Sequence, residues 1–298
     1  MFEPGFFSSG PVVTALVIGA VTAVVSAVVG VFTVVRGQSF AGHALTDVAT
    51  TGGSGAFFFG VSPLVGFLGA GVIGAGAMDL IGVQRLRGRD LATGVVLGVA
   101  TGLAALFLYL DTTSRATTGA TQQILFGSIF TVSSSVIPLV IVMSALTVGV
   151  IALIHRPLLL SSFSSELAAA RGISLRRVGL LFMLALAVAV GLSSIAIGSV
   201  LSTALLIGPA ATAIRLTSSL RRALLVAGVL GVVSTWLGVL LAYDSFYWFP
   251  SSQGLPVSFF IVSLVFLAFL GSGPLSARRG SRSPATEQAR GSLRAEVV

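Results

Sequence analysis

His43 and Asp47 stand four residues apart in the stretch Gly42-His43-Ala44-Leu45-Thr46-Asp47. On a helix such positions share one face, about 6 Å apart along the axis, so both side chains can address one ion. A neutral imidazole nitrogen together with a carboxylate oxygen suits zinc, manganese or ferrous iron. Only 9% of the 298 residues are charged, and ionisable groups inside an apolar span commonly mark an ion or proton pathway. The competing reading is interfacial: Arg36 lies just upstream, and the pair would then bond only to each other or to water.

Downstream, Thr50 and Thr51 lead into Gly52, Gly53 and Gly55. These glycines predict that the helix breaks within the membrane, where irregular backbone is tolerated only if buried or lining a cavity. The other acidic residues have plainer roles. Asp79 and Asp90 flank the arginines at 85, 87 and 89 and are expected to pair with them, while Asp111 and Asp244 end helices at the outer face. His155, beside Arg156, is expected to cap helix carbonyls. The chain has no HExxH motif, no serine, histidine and aspartate set, and no lysine with which to complete a phosphate-binding loop. It is therefore not expected to be an enzyme or to hydrolyse ATP itself. Without cysteine, thiolate ligation is excluded and any metal must be held by oxygen or nitrogen.

The elements that position these residues follow from composition. Hydrophobic residues make up 55% of the chain and the mean hydropathy is +1.05, which places it among membrane proteins. A crossing needs about 20 apolar residues, and windows of that kind lie near 11–35, 61–83, 91–110, 134–154, 177–197, 198–214, 223–243 and 256–273. The stretch 39–59 supplies a poorer ninth. The fold expected is all-α: a polytopic helical bundle of about eight to nine transmembrane helices. All 17 basic residues are arginines, and the rule that short cytoplasmic loops carry positive charge is met by nine crossings with the N-terminus outside and the C-terminus cytoplasmic. Arg115 alone then falls outside. The net charge of +8 is scattered over loop ends, which argues for lipid-surface anchoring and against nucleic acid. The first window is too long for a signal peptide and lacks a basic leader, so it is expected to remain as a helix.

Residues 1–275 read as one membrane domain and 276–298 as a polar, disordered cytoplasmic tail. Two loops interrupt the helices, 111–133 outside and 155–177 inside, each with a short helix. In the inner one, at about 162–173, Ser164 or Ser165 can cap, Glu166 complements the first-turn dipole and Gly172 can end the helix. Glycines within the apolar windows serve close helix packing. There is no evident internal repeat.

Four stretches in this order resemble the permease subunits of bacterial metal-ion ABC importers. Gly42 to Asp47 is similar to that family's glycine, aspartate, Ala, aliphatic, Ser, histidine motif with the two ligand chemistries exchanged, and Thr51-Gly52 replaces its Pro-Gly. Phe163-Ser164-Ser165-Glu166-Leu167-Ala168-Ala169-Ala170-Arg171-Gly172 resembles its coupling helix. Gly198 to Ala213, ending in Pro209-Ala210-Ala211-Thr212-Ala213, and Leu125-Phe126-Gly127-Ser128 also match.

The resemblance implies a type II ABC importer permease-like fold in the bacterial cytoplasmic membrane. It implies a homodimer forming the pathway, cytoplasmic ABC ATPase subunits that bind ATP, and an extracytoplasmic metal-binding protein that delivers the ion. His43 and Asp47 would be transient ligands for a transported divalent metal, zinc first and manganese second. Ser164, Glu166 and Gly172 would couple to the ATPase, and Gly52, Gly53 and Pro209 would pack the pathway helices. Two alternatives stay open: a secondary cation transporter or channel working without an ATPase, and an ABC permease for iron chelate, haem or cobalamin.

Overall fold

The computed structural model describes residues 6, 9–81, 89–114, 118–127, 129–248 and 254–280. Among them are α1 (Gly10–Val35), α2 (Ser39–Phe58), α3 (Pro63–Ile81), α4 (Arg89–Ser114), α5 (Thr118–Phe126) and α6 (Ile137–Phe163). These are followed by α7 (Ser165–Ala170), α8 (Leu175–Ile197), α9 (Ser199–Leu216), α10 (Leu220–Ser245) and α11 (Val257–Gly280). The described residues contain no strand. Eight helices are long and apolar enough to cross a membrane. Helix α2, with 20 residues, has the length but carries His43, Asp47 and a run of small polar side chains. The fold is thus the expected all-α polytopic bundle. Helix α11 continues to Gly280, past the boundary placed at residue 276; residues 281–298, Arg85, Arg87 and Arg115 lie outside the described set.

Helices α1 and α8 form the centre, with Phe32, Phe182, Met183 and Leu186 essentially inaccessible. Where these helices cross, the Ser26 and Ser193 hydroxyls bond at 2.6 Å. The inner end of α1 is tied to α6 by Arg36, whose guanidinium donates to the Leu158 carbonyl at 3.2 Å and to Ser161 at 3.0 Å. That guanidinium also lies 5.3 Å from the centre of the Phe182 ring, a cation–π contact that keeps the charge at the bundle edge.

Helix α2 is continuous, contrary to the break expected at its glycines. Each glycine forfeits some helix propensity, and here close packing on α3 offsets the loss. A side chain on Gly52 would run into the Gly66 carbonyl, and one on Gly53 would stand 2.6 Å from the Phe67 ring. Hydroxyls of Thr50 and Ser54 bond back to carbonyls four residues earlier, at 2.8 Å each.

Irregular backbone occurs elsewhere. A carbon added at Gly42 would lie 3.8 Å from both Leu186 and Thr33, so these two residues are neighbours; with the Ser26–Ser193 bond, this makes α1 and α8 antiparallel. At 1.5 Å of rise per residue, Gly198 then stands roughly 20 Å from the inner end of α1, near its midpoint, while the start of α8 projects roughly 13 Å beyond that end. The turn joining α8 to α9 is therefore deep in the bundle and not at the outer face where the two apolar windows placed it. The segment expected as an outer loop descends to meet it. Helix α5 ends at Gly127, against Gly198 and Ile197, and Ile129 Cδ1 lies within van der Waals reach, 3.5 Å, of a carbon added at Gly19. Protein surrounds this non-helical backbone, as the bilayer interior requires.

From the alternation of the long helices and the arginine bias we expect the α2–α3 turn outside and α7 inside. We expect Val61→Cys to react with an impermeant thiol reagent from outside intact cells and Ser165→Cys only after lysis. Labelling of Ser165→Cys in intact cells would overturn this orientation.

Candidate functional site

His43 and Asp47 both project from α2 but meet different neighbours. His43 is exposed, and its Nδ1 lies 3.4 Å from Thr203 Oγ1 on α9. Thr203 in turn lies 3.1 Å from Thr46 Oγ1, and Thr46 donates to the Gly42 carbonyl at 3.0 Å. Asp47, partly buried near the middle of α2, accepts a 2.5 Å hydrogen bond on Oδ2 from Thr101 of α4. The described residues show no bond or ion pair between His43 and Asp47 themselves. Threonines from α9 and α4 thus flank the pair, leaving an open polar strip on α2.

No group of three or more His, Cys, Asp or Glu side chains that could hold a metal occurs among the described residues. One chain offers one imidazole and one carboxylate, fewer donors than a divalent transition metal takes from protein in a closed site.

Gly52 and Gly53 face α3, away from this strip. Pro209 is buried within α9 and, lacking an N–H, leaves the Leu205 carbonyl without its helical donor. Three residues before it, the Leu206 carbonyl occupies the space a Gly30 side chain would need, so α1 and α9 touch backbone to backbone. A cavity of about 250 Å³, lined by Ser62, Phe67, Gln123, Thr131 and Ser194 among others, opens between α3, α5 and α8. None of its lining residues is on α2 or α9, and it is separate from the pair.

At the inner end, the Ser164 hydroxyl accepts the Leu167 N–H at 3.2 Å and caps α7. Glu166 sits in the first turn. Gly172, with φ 73°, closes the helix: its N–H bonds to the Ala169 carbonyl, and that of Ile173 to Ala168. This is the paired C-terminal bonding that a left-handed glycine permits. All of α7 is exposed except Ala168, and Phe163 just before it is 81% exposed. Asp79 Oδ2 accepts from Arg176 Nε of α8 at 3.3 Å; Arg85 and Arg87, expected as its partners, lie outside the described residues. His155 Nδ1 lies 2.6 Å from the Ala152 carbonyl and takes no part in the α2 site.

Among the described residues, nine long helices, a polar strip on α2 and a short exposed helix between α6 and α8 make up a polytopic membrane-protein fold. The model of the ABC 3 transport family matches residues 10–272, and the chain belongs to that family. It is 27% identical over 186 residues to the manganese transport system membrane protein MntC of Listeria innocua, covering 62% of this chain and 65% of that one. It is 32% identical over 172 residues to MntC of Halalkalibacterium halodurans, covering 58% of each. The match thus spans under two thirds of these relatives. The chelated iron transport system membrane protein YfeC of Yersinia pestis is 28% identical over 181 residues, 60% of each chain. Among solved structures, PsaBC from Streptococcus pneumoniae in complex with Fab superposes with a TM-score of 0.75 at 25% identity, over 90% of this chain and 92% of that chain. A metal-chelate type ABC transporter in an inward-facing conformation shares the fold at 0.69 and 18% identity.

Proposed function

We propose that the chain is the membrane-spanning subunit of an ATP-driven importer of a divalent transition metal ion. The observation that carries this reading is the strip formed by His43 and Asp47 on α2. A lone chain in a bilayer would present exposed His43 to lipid, at a cost of several kcal/mol for an unsatisfied polar group. A second copy facing the strip removes that cost and doubles the donors to two nitrogens and two oxygens. Manganese now stands ahead of zinc, because the similar permeases are named for manganese; nitrogen and oxygen donors suit both. Iron follows, on the relative named for chelated iron.

ATP would be hydrolysed by separate cytoplasmic subunits docking on α7, and an extracytoplasmic binding protein would deliver the ion. Exposed Phe163, at the end of α6, and Leu167 of α7, next to the start of α8 that projects past the inner end of α1, support a protein partner there. Motion at α7 passes straight into α8 and reaches Gly198 in mid-bundle.

The test is ATP-dependent uptake of radiolabelled manganese, zinc and iron into vesicles carrying the permease with its genomic-neighbour ATPase and binding protein. Uptake that proceeds without ATPase would favour a secondary transporter instead. Within that assay, Glu166→Arg should lower ATP-dependent uptake by about tenfold through charge reversal on the docking helix, with permease abundance unchanged. Wild-type uptake by that variant would remove Glu166 from coupling.

A further inference from the structure

We propose that three threonines, Thr46, Thr203 and Thr101, orient the α2 pair so that His43 presents Nε2 and Asp47 presents Oδ1. This rests on the reading of the pair as ion ligands, but its first test does not. The argument is a count of protons. Each hydroxyl has one to donate, and a backbone carbonyl can only accept. Thr46 gives its proton to the Gly42 carbonyl at 3.0 Å. The 3.1 Å contact between Thr46 and Thr203 must then use the proton of Thr203. The 3.4 Å contact from Thr203 to His43 is left to be bridged by a proton on His43 Nδ1. Only this assignment satisfies all three contacts together. A neutral imidazole protonated at Nδ1 has its lone pair on Nε2.

Thr101 acts on the other ligand. Its hydroxyl reaches both Asp47 Oδ2 at 2.5 Å and the Leu97 carbonyl at 2.8 Å, and it can serve one at a time. The carboxylate is the stronger acceptor, and the Leu97 carbonyl can receive the N–H of its own helix. Oδ2 is therefore held toward α4, leaving Oδ1 free. Helices α2, α4 and α9 each contribute to the arrangement, so a relative shift of α9 would release the His43 tautomer and weaken the site's hold on an ion. In this scheme the threonines are positioning residues and touch no ion.

The chain has two histidines, so the tautomer can be read directly. In full-length, lipid-reconstituted protein carrying His155→Gln and ¹⁵N-labelled histidine, solid-state NMR should show His43 protonated at Nδ1. In Thr203→Val that preference should be lost, and in Thr203→Ser it should be retained. A wild-type His43 protonated at Nε2 would overturn the relay whatever the transported ion proves to be. For Thr101, Val should lower manganese uptake by roughly 10–100-fold, as removal of a partner behind a metal ligand does, with permease abundance and thermal midpoint unchanged. Thr101→Ser should restore uptake to within a few fold. Unchanged uptake in Thr101→Val, beside lost uptake in Asp47→Ala, would overturn the positioning role and leave the ligand reading standing. Unchanged uptake in both would instead sink the ligand reading.

Discussion

Asp47→Ala should abolish ATP-dependent manganese uptake, a fall of more than about a hundredfold, since losing a ligand should exceed the 10–100-fold that losing its supporting partner brings. Asp47 is the sole acidic residue on α2, and two copies facing each other would lose both carboxylates at once. The same substitution should not harm the fold. Ala is the best helix former, and a partly buried charge within a span is costly to keep, so removing it relieves the bundle. Thr101 keeps the Leu97 carbonyl as an alternative acceptor. Uptake and stability are thus expected to move apart, which separates a lost ligand from a damaged protein. Asp47→Asn, similar in shape but uncharged, should fail nearly as badly. His43→Ala should also lose uptake, and the double variant should lose less than the product of the two single effects, because both residues serve one ion. Wild-type rates in both single variants, normalised to permease abundance, would remove the pair from the pathway.

The pair itself is legible because a four-residue spacing is a local property of any helix. Its supporting threonines are not. Thr101 and Thr203 lie 54 and 160 residues from their partners, and nothing local distinguishes them from other threonines in apolar windows. Partnership across helices depends on register, and register is set by close contacts such as Ser26 against Ser193. Asp79 shows the same limit: helix packing brings it Arg176, 97 residues away in sequence, a partner that nothing local announces.

Hydropathy located the nine long helices of the described residues, closely for the window 11–35 against Gly10–Val35 but nine residues short at the end of α6, which runs on to Phe163. It conveys length and not depth. Windows 177–197 and 198–214 were both long enough to cross, so the turn between them was placed at the outer face. The clue lay in Gly198 and Gly127, two glycines whose common purpose emerges only when their segments meet. At Gly52 and Gly53 the opposite error arose. Glycine can break a helix or let another approach closely, and the choice depends on whether a neighbour such as Gly66 supplies matching space.

Gly198→Ala should be severely damaging for the addition of a single methyl. Gly198 has φ 81° and ψ 162°, a region essentially restricted to glycine, where a side chain costs on the order of 1–3 kcal/mol through the backbone alone. Space is also denied. The added carbon would meet the Leu125 carbonyl, the Phe126 carbonyl carbon and the Gly127 nitrogen, which are main-chain atoms unable to rotate away. Gly127, at φ 75°, presses back, and its own added carbon would lie 2.6 Å from the Ile197 carbonyl carbon. Relief requires α5 to withdraw from the α8–α9 turn, opening backbone polar groups in the middle of the bundle, where each unsatisfied group costs several kcal/mol. We therefore expect Gly198→Ala and Gly127→Ala each to lower the thermal midpoint of the detergent-purified permease steeply or to prevent its accumulation. Gly149→Ala, with open space around it on α6, should be neutral or stabilising by up to about 1 kcal/mol. If Gly198→Ala melts with wild type while retaining uptake, α5 and the deep turn are not in contact as described. If it melts with wild type but loses uptake, the contact is a moving part rather than a structural one, and the route from α7 through α8 ends at α5.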